Sequence, residues 1–472
     1  MQWESATALC RDLQRGDVSC VDVMQEVYRR IEALNPQLNA IVNLIEQDEA
    51  LAMAAAADRV PIVQRGPLHG LPFATKDAVD VAGFPTTWGF VPWANNIAAQ
   101  DDGQAARIRA AGALFIGRTN MPEFGLGSHT FNNLFGATLN PYDTSKTPGG
   151  SSGGAAVALA TGMLPLADGS DMGGSLRNPA SFCNVVGLRP SIGRVPNNRG
   201  FGWYARLGIT GPMARTVADT TLLFSVQAGP DRNDPLTLPE PGTHFLDALT
   251  PDADLKGKRI AFCPTLHGLQ VDPAVLTVME RTAQVCTDLG AQVDDAQPDL
   301  RGAMHVFQVQ RAAGLATLGD GLDRSAPGWR EHAKDTAIWN IEKGKALTSQ
   351  EILDTELQRA RIYADTASFF EDYDAMLLPA AQVPPFDTST DWVRSINGVE
   401  MPTYIDWMEV CCAITVTGLP AISVPAGFTP DGLPVGAQWV GKPRGDLALL
   451  QLAHTFEQAT LHHQTRPEMH CW

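Results

Sequence analysis

The sequence predicts an α/β protein with a largely buried sheet, folded as one domain. Short apolar runs of strand length alternate with helical periodicities from the first hundred residues to the last fifty. Strand-like runs also stand on both sides of a glycine-dense centre at 148–193. Finally, 44% apolar and 18% charged residues describe an ordinary globular chain, not a disordered, collagen-like or coiled-coil one. The 472 residues would by length allow about three domains or one large α/β domain, and no internal repeat divides them.

Ser5 caps a short predicted helix ending at Gly16, and Ser19 a second in which Val23, Val27, Ile31 and Leu34 recur at helical spacing. The Pro/Gly-punctuated stretch GPLHGLPFATKDAVDVAGFPTT carries short apolar runs that read as buried strands, and 103–118 reads as a helix followed by a strand. The Pro- and Asp-rich segment 229–256 is expected to be a surface connection and not a domain boundary. Beyond it come a strand (KRIAFCPTL), an amphipathic helix at 272–290 and a mostly helical stretch at about 302–375. The C-terminal part reads as strand AMLLPAA, a helix around 403–413, strands AISVPA and VGAQWV, and a helix at 446–459.

The charge balance, 35 basic against 52 acidic residues, gives −17 and argues against nucleic-acid or anionic-membrane partners, which demand a basic face. No apolar run approaches the ~18 residues of a membrane helix. The N-terminus MQWESATALCRDLQRGD lacks the basic and apolar regions of a secretory signal, so a cytoplasmic location is expected. Eight irregularly spaced cysteines without CxxC read as reduced thiols, and the vicinal pair Cys411–Cys412 as two small buried residues. Ten histidines form neither HExxH nor HxxxH, so neither a metal nor another cofactor is expected.

The densest signal is PGGSSGGAAVALATGMLPLADGSDMGGSLRNPASFCNVVGLRPSIGRV, from Pro148 to Val195. A flexible linker would not run straight into an Ala/Val/Leu helix pattern. A phosphate loop fails because no Gly-Lys-Ser/Thr follows. Gly149-Gly150-Ser151-Ser152-Gly153 does satisfy G-x-S-x-G, which would make Ser151 the nucleophile of an α/β-hydrolase elbow. That elbow needs a preceding strand, and NPYDTSKTP is polar and turn-rich.

The stretch 147–195 resembles the amidase signature, the mark of serine hydrolases that use Ser-cisSer-Lys in place of Ser-His-Asp. RIEALNPQLNAIV, LHGLPFATKDAVDVAGFPTT, GRTNMPEFG, FGATLNPYD, GITGPMARTVADTTLLF and GLPAISVPAGFTPDGLPVGAQWVG resemble further family segments in the family order. The spacing is 75 residues from Lys76 to Ser151 and 24 from Ser151 to Ser175. The resemblance implies one amidase domain over 1–472: a large mixed, mostly parallel twisted sheet with helices on both faces, a signature core at 60–230 and a substrate-side helical insertion at about 302–375.

It further implies Ser175 as nucleophile, Ser151 as bridging serine next to a cis peptide, and Lys76 as base. A serine hydroxyl is a poor nucleophile unless a neighbour takes its proton. A lysine accepts it at neutral pH when burial disfavours the ammonium form. Lys76 lies in the apolar run LPFATKDAV, where the plainer reading is a strand-end lysine pairing with Asp77 or Asp80. Met172, Gly173, Gly174 and Ser175 would offer backbone N–H groups to an oxyanion, although Gly173-Gly174 also reads as a plain turn. Ser170 would hold the nucleophile loop, with Ser152, Asp171 and Arg177 around it, the last two structural. Met121, Phe201, Trp203 and Tyr204 are expected at the substrate pocket. For the three aromatics the competing reading is a surface loop tucked onto the core.

The resemblance leaves several activities open. Glutaminase subunits of tRNA-dependent amidotransferases carry an acid ten residues before the glycine of their GLP segment, where this chain has Met408. A fatty-amide hydrolase would show a membrane helix or an apolar entry patch. A binding protein on the same fold would have lost Lys76, Ser151 or Ser175. A stand-alone amidase, monomeric or homodimeric, acting on small aryl or alkyl amides and also on esters and carbamates (urethanes), is the favoured reading.

Overall fold

The first two helices form where their caps place them. Ser5 accepts from the Ala8 N–H and opens Ala6–Arg15, which Gly16 closes at φ 77°. Ser19 likewise opens Cys20–Leu38 by accepting from Asp22. The computed structural model describes residues 5–197, 206–250 and 254–469. Its principal strands are β1 (Ile41–Val42), β2 (Pro72–Lys76), β3 (Leu114–Thr119), β4 (Ala167–Asp171), β5 (Val186–Arg189), β6 (Ile209–Ala214), β7 (Arg259–Phe262), β8 (Gln292–Asp295), β9 (Ala375–Pro379), β10 (Ala421–Phe428) and β11 (Pro434–Gly441). Only the first of the strand-like runs in 66–87 becomes a strand; the rest are turns.

Eight strands form one sheet in the order β8-β7-β9-β11-β10-β5-β6-β4, and β1-β3-β2 form a second, smaller one. Strand β9 shows why the sheet runs read as continuously apolar. Met376 and Leu378 enter one hydrophobic cluster, Ala375 and Leu377 the cluster on the other face. The α/β fold with helices on both faces is as expected, but the sheet is not mostly parallel. In the large sheet β7 pairs in parallel with β8 and β9, while the other five pairings are antiparallel. The reason lies in the connections. A tight turn joins β10 to β11 and forces antiparallel pairing, whereas the parallel pairs flank helical crossovers such as Pro273–Asp288.

The stretch 302–375 forms three helices, Ala303–Ser325, Asp335–Lys345 and Ser349–Asp372. It is fastened to the core by Lys334, whose N–H donates to Glu123 Oε1 at 2.8 Å and whose ammonium donates to the Phe131 carbonyl at 2.7 Å. The helix expected at 403–413 begins later, at Glu409, because Asp406 first closes a turn by accepting from the Thr403 N–H at 2.6 Å. Segment 229–256 packs onto the core where it is described: the Phe245 ring lies 4.6 Å from Phe224, and the Leu238 N–H donates to Gly193. Among the described residues no helix is long and apolar enough to cross a membrane. The seven described cysteines are buried and unpaired, Cys411 and Cys412 among them.

Candidate active site

The glycines of the centre serve close packing. The helix Gly153–Ala160 is buried on every side, and a Cβ on Gly154 would lie 2.4 Å from the Asn120 backbone nitrogen and 2.5 Å from the Ala40 carbonyl oxygen. Just ahead of this helix the Gly150–Ser151 peptide is cis. Lys76, the last residue of β2, is held alongside β4 by its own N–H, which donates to Asp168 Oδ1 at 2.9 Å.

Lys76 is fully buried, and its amine meets Ser151 Oγ at 2.7 Å, Ser152 Oγ at 2.9 Å and Ser170 Oγ at 3.0 Å. Among the described residues no carboxylate lies within ion-pair distance of the amine, so the strand-end reading of an ion pair with Asp77 or Asp80 does not hold. Asp77 is buried against Arg118 at 3.6 Å and accepts from the Thr87 N–H. Burial lowers the Lys76 pKa to about 7, against the opposing pull of Asp168 and Asp171. Burial also raises Asp168 to about 6, and its Oδ2 has no hydrogen-bond partner among the described residues.

Ser175 and Ser151 face the same cavity of about 240 Å³. The Ser175 hydroxyl makes no protein hydrogen bond among the described residues, and its carbonyl accepts from the Ser152 N–H at 3.2 Å. Its loop is shaped by Asp171, not by Ser170 as expected. Asp171 Oδ1 accepts from the Gly174 N–H at 3.0 Å and Oδ2 from the Leu176 N–H at 3.1 Å. Ser170 instead turns to the lysine. Gly174 has φ 110°, and a Cβ there would lie 2.8 Å from that of Cys411, so the loop needs glycine. Since each peptide carries one N–H, Gly174 is committed to Asp171, and Met172, Gly173 and Ser175 remain as the candidate oxyanion donors.

Burial would raise the pKa of Asp171, but the charges and hydrogen bonds of Arg177, with the charge of Arg189, hold it well below the usual carboxylate range. Arg177 grips both carboxylate oxygens, at 2.8 and 2.9 Å, and reaches Gln438 Oε1 and Thr415 Oγ1 at 2.5 and 3.0 Å. Replacing Asp171 by alanine would leave two buried guanidinium groups uncompensated, and the expected loss is about 3–5 kcal/mol of stability. Urea unfolding of Asp171→Ala checks this; a loss under about 1 kcal/mol would refute the structural role.

The cavity is lined by Met121, Trp88, Phe124, Phe307, Ile405 and Met408, among others. Phe201, Trp203 and Tyr204 lie outside the described residues. Asp168, Arg189, Thr415 and Gln438 escaped the sequence reading, since nothing local distinguishes them from ordinary polar residues in strands and helices.

A profile for the family described as amidase matches residues 22–450. The chain is 35% identical over 463 residues to an acylamidase of Rhodococcus erythropolis, covering 97% of this chain and 95% of that one. It is 33% identical to a glutamyl-tRNA(Gln) amidotransferase chain of Symbiobacterium thermophilum, with 98% of each chain covered. Among solved structures, a bacterial aryl acylamidase of the amidase signature family superposes with a TM-score of 0.90 at 30% identity, over 98% of both chains.

Proposed function

Since the chain belongs to the amidase signature family and is an amide hydrolase, we propose that it works through a seryl acyl-enzyme on small aryl or alkyl amides, with esters and carbamates as further substrates. The observation that carries the reading is the buried Lys76 amine, 2.7 Å from Ser151 Oγ beside a cavity that Ser175 shares.

In this mechanism Ser175 Oγ attacks the carbonyl carbon. Its proton passes to Ser151 Oγ, whose own proton moves to Lys76 Nζ; a hydroxyl can donate and accept at once. Substrate entry would close the open Ser175 hydroxyl onto Ser151, as catalytic hydrogen bonds commonly tighten only in the complex. The N–H groups of Met172, Gly173 and Ser175 would stabilise the tetrahedral oxyanion. As the C–N bond breaks, the amine leaves with the proton returned from Lys76 through Ser151. Water then attacks the acyl-enzyme by the same relay in reverse, releasing the acid and restoring Ser175.

Met408 favours this over the glutaminase reading. It lies on the cavity wall, where a thioether, at most a weak acceptor, has no charge to pair with the ammonium of glutamine. A panel of acyl 4-nitroanilides, primary amides, aryl carbamates and glutamine tests the proposal. Hydrophobic anilides should be turned over, glutamine should not, and EDTA should leave the rate unchanged. Glutamine as the sole substrate would overturn the assignment, and so would zinc-restorable inactivation by EDTA.

A further inference from the structure

The charges around the cavity do not all cancel. Asp171 is matched by Arg177 and Arg189, and Arg206 by Asp234 at 2.7 Å. Arg311, on the same wall, has no carboxylate within 4.0 Å among the described residues and is only 6% exposed. Two of its nitrogens donate to neutral acceptors, Asn340 Oδ1 and Tyr404 Oη. A guanidinium has five donors. Its Nε makes no hydrogen bond among the described residues and, unlike that of Arg118, is not sealed from solvent, and the residue lines the cavity. Lys343 adds positive charge nearby, while Asp406, beside Ile405 of the wall, is turned to the Thr403 N–H.

The helix Ala303–Ser325 places this charge relative to the reacting atoms. Phe307, Arg311 and Leu315 follow at four-residue spacing and all face the cavity. The Phe307 ring would lie 3.2 Å from a Cβ on Gly173, so it abuts the nucleophile loop. Arg311 then stands about 6 Å further along the helix axis.

We propose that Arg311 is an anion subsite, so that the preferred substrates are amides carrying a carboxylate a few atoms from the scissile carbonyl. The inference rests on the acyl-transfer reading above and adds the substrate class. Its basis is physical: a buried cation without a counter-ion is costly, and a carboxylate entering the cavity would meet a planar, pre-positioned fork.

Two matched pairs test it and separate the two parts of the substrate. Glutaric acid mono-4-nitroanilide against its methyl ester puts the carboxylate on the acyl part; 4-(hexanoylamino)benzoate against 4-(hexanoylamino)benzamide puts it on the amine. The wild-type enzyme should favour the charged member of one pair by about 10- to 100-fold in kcat/KM, the range of a charge-assisted hydrogen bond. Arg311→Gln should abolish that preference while changing the neutral member less than about threefold, and Arg311→Lys should restore part of it. The wild-type comparison needs no variant, so it decides even where Arg311→Gln fails to fold. Preference for the neutral member in both pairs would overturn the proposal, as would equal loss on charged and neutral members in Arg311→Gln. Should no member be turned over, the acyl-transfer reading fails, and calorimetry of the carboxylate amides with Ser175→Ala protein then judges Arg311 alone. Binding no tighter than that of the neutral partners would rule the subsite out.

Discussion

Ser175→Ala protein is expected to lose all measurable amide and ester hydrolysis while keeping its fold. The variant removes one oxygen from a side chain that makes no protein hydrogen bond among the described residues. Stability should therefore move by less than about 0.5 kcal/mol, as for substitutions that break no buried contact. Loss of the nucleophile removes the covalent route itself, and what remains is the background supplied by oxyanion donors and binding. Labelling the wild-type enzyme with a fluorophosphonate and mapping the adduct gives the complementary result: phosphorus on Ser175, none on Ser151. Ser151 Oγ is held 2.7 Å from the Lys76 amine beside a cis peptide, in place for a relay. An adduct on Ser151 would support the elbow reading of GGSSG and sink the proposed mechanism.

Lys76→Ala should slow amide cleavage far more than cleavage of an activated ester with the same acyl group. An amine departs only once protonated, whereas a nitrophenolate leaves unaided. General acid–base catalysis contributes about 10²- to 10⁴-fold, so the ester-to-amide rate ratio should rise within that range. The wild-type pH profile carries the same information. In the proposed mechanism the working base is the neutral amine of Lys76, whose pKa is lowered to about 7. Below that value kcat/KM should fall about tenfold per pH unit, and above it the rate should level off. Asp168, raised to about 6, would make the acid limb shallower as it is protonated, because its charge is one of those that hold the Lys76 ammonium in place. An equal fall for ester and amide in Lys76→Ala would refute the leaving-group role, and a profile flat from pH 5 to 9 would refute the lysine base.

Lys76, Ser151 and Ser175 were singled out by the resemblance of the segments around them to family segments; the local pattern alone also allowed a strand-end lysine and a plain glycine turn. The two N-terminal helices were legible directly, since a cap and a 3.6-residue period are local properties. Strand runs could be read, but their direction could not. Pairing is settled by which distant segments meet, so the mixed sheet emerged only in three dimensions.

The sequence by itself thus determined the α/β class and the family, because those depend on short-range pattern and segment order, and the family resemblance nominated the three groups of the proposed chemistry. The tertiary structure alone decided which charges are compensated. It assigned Asp171 to the Ser175 loop and gave the Gly174 N–H to that carboxylate. It also left Arg311 with neutral partners drawn from Asn340 and Tyr404, 29 and 93 residues away. Electrostatic balance is a property of neighbours in space, and a buried charge finds its partners only when the chain has closed around it.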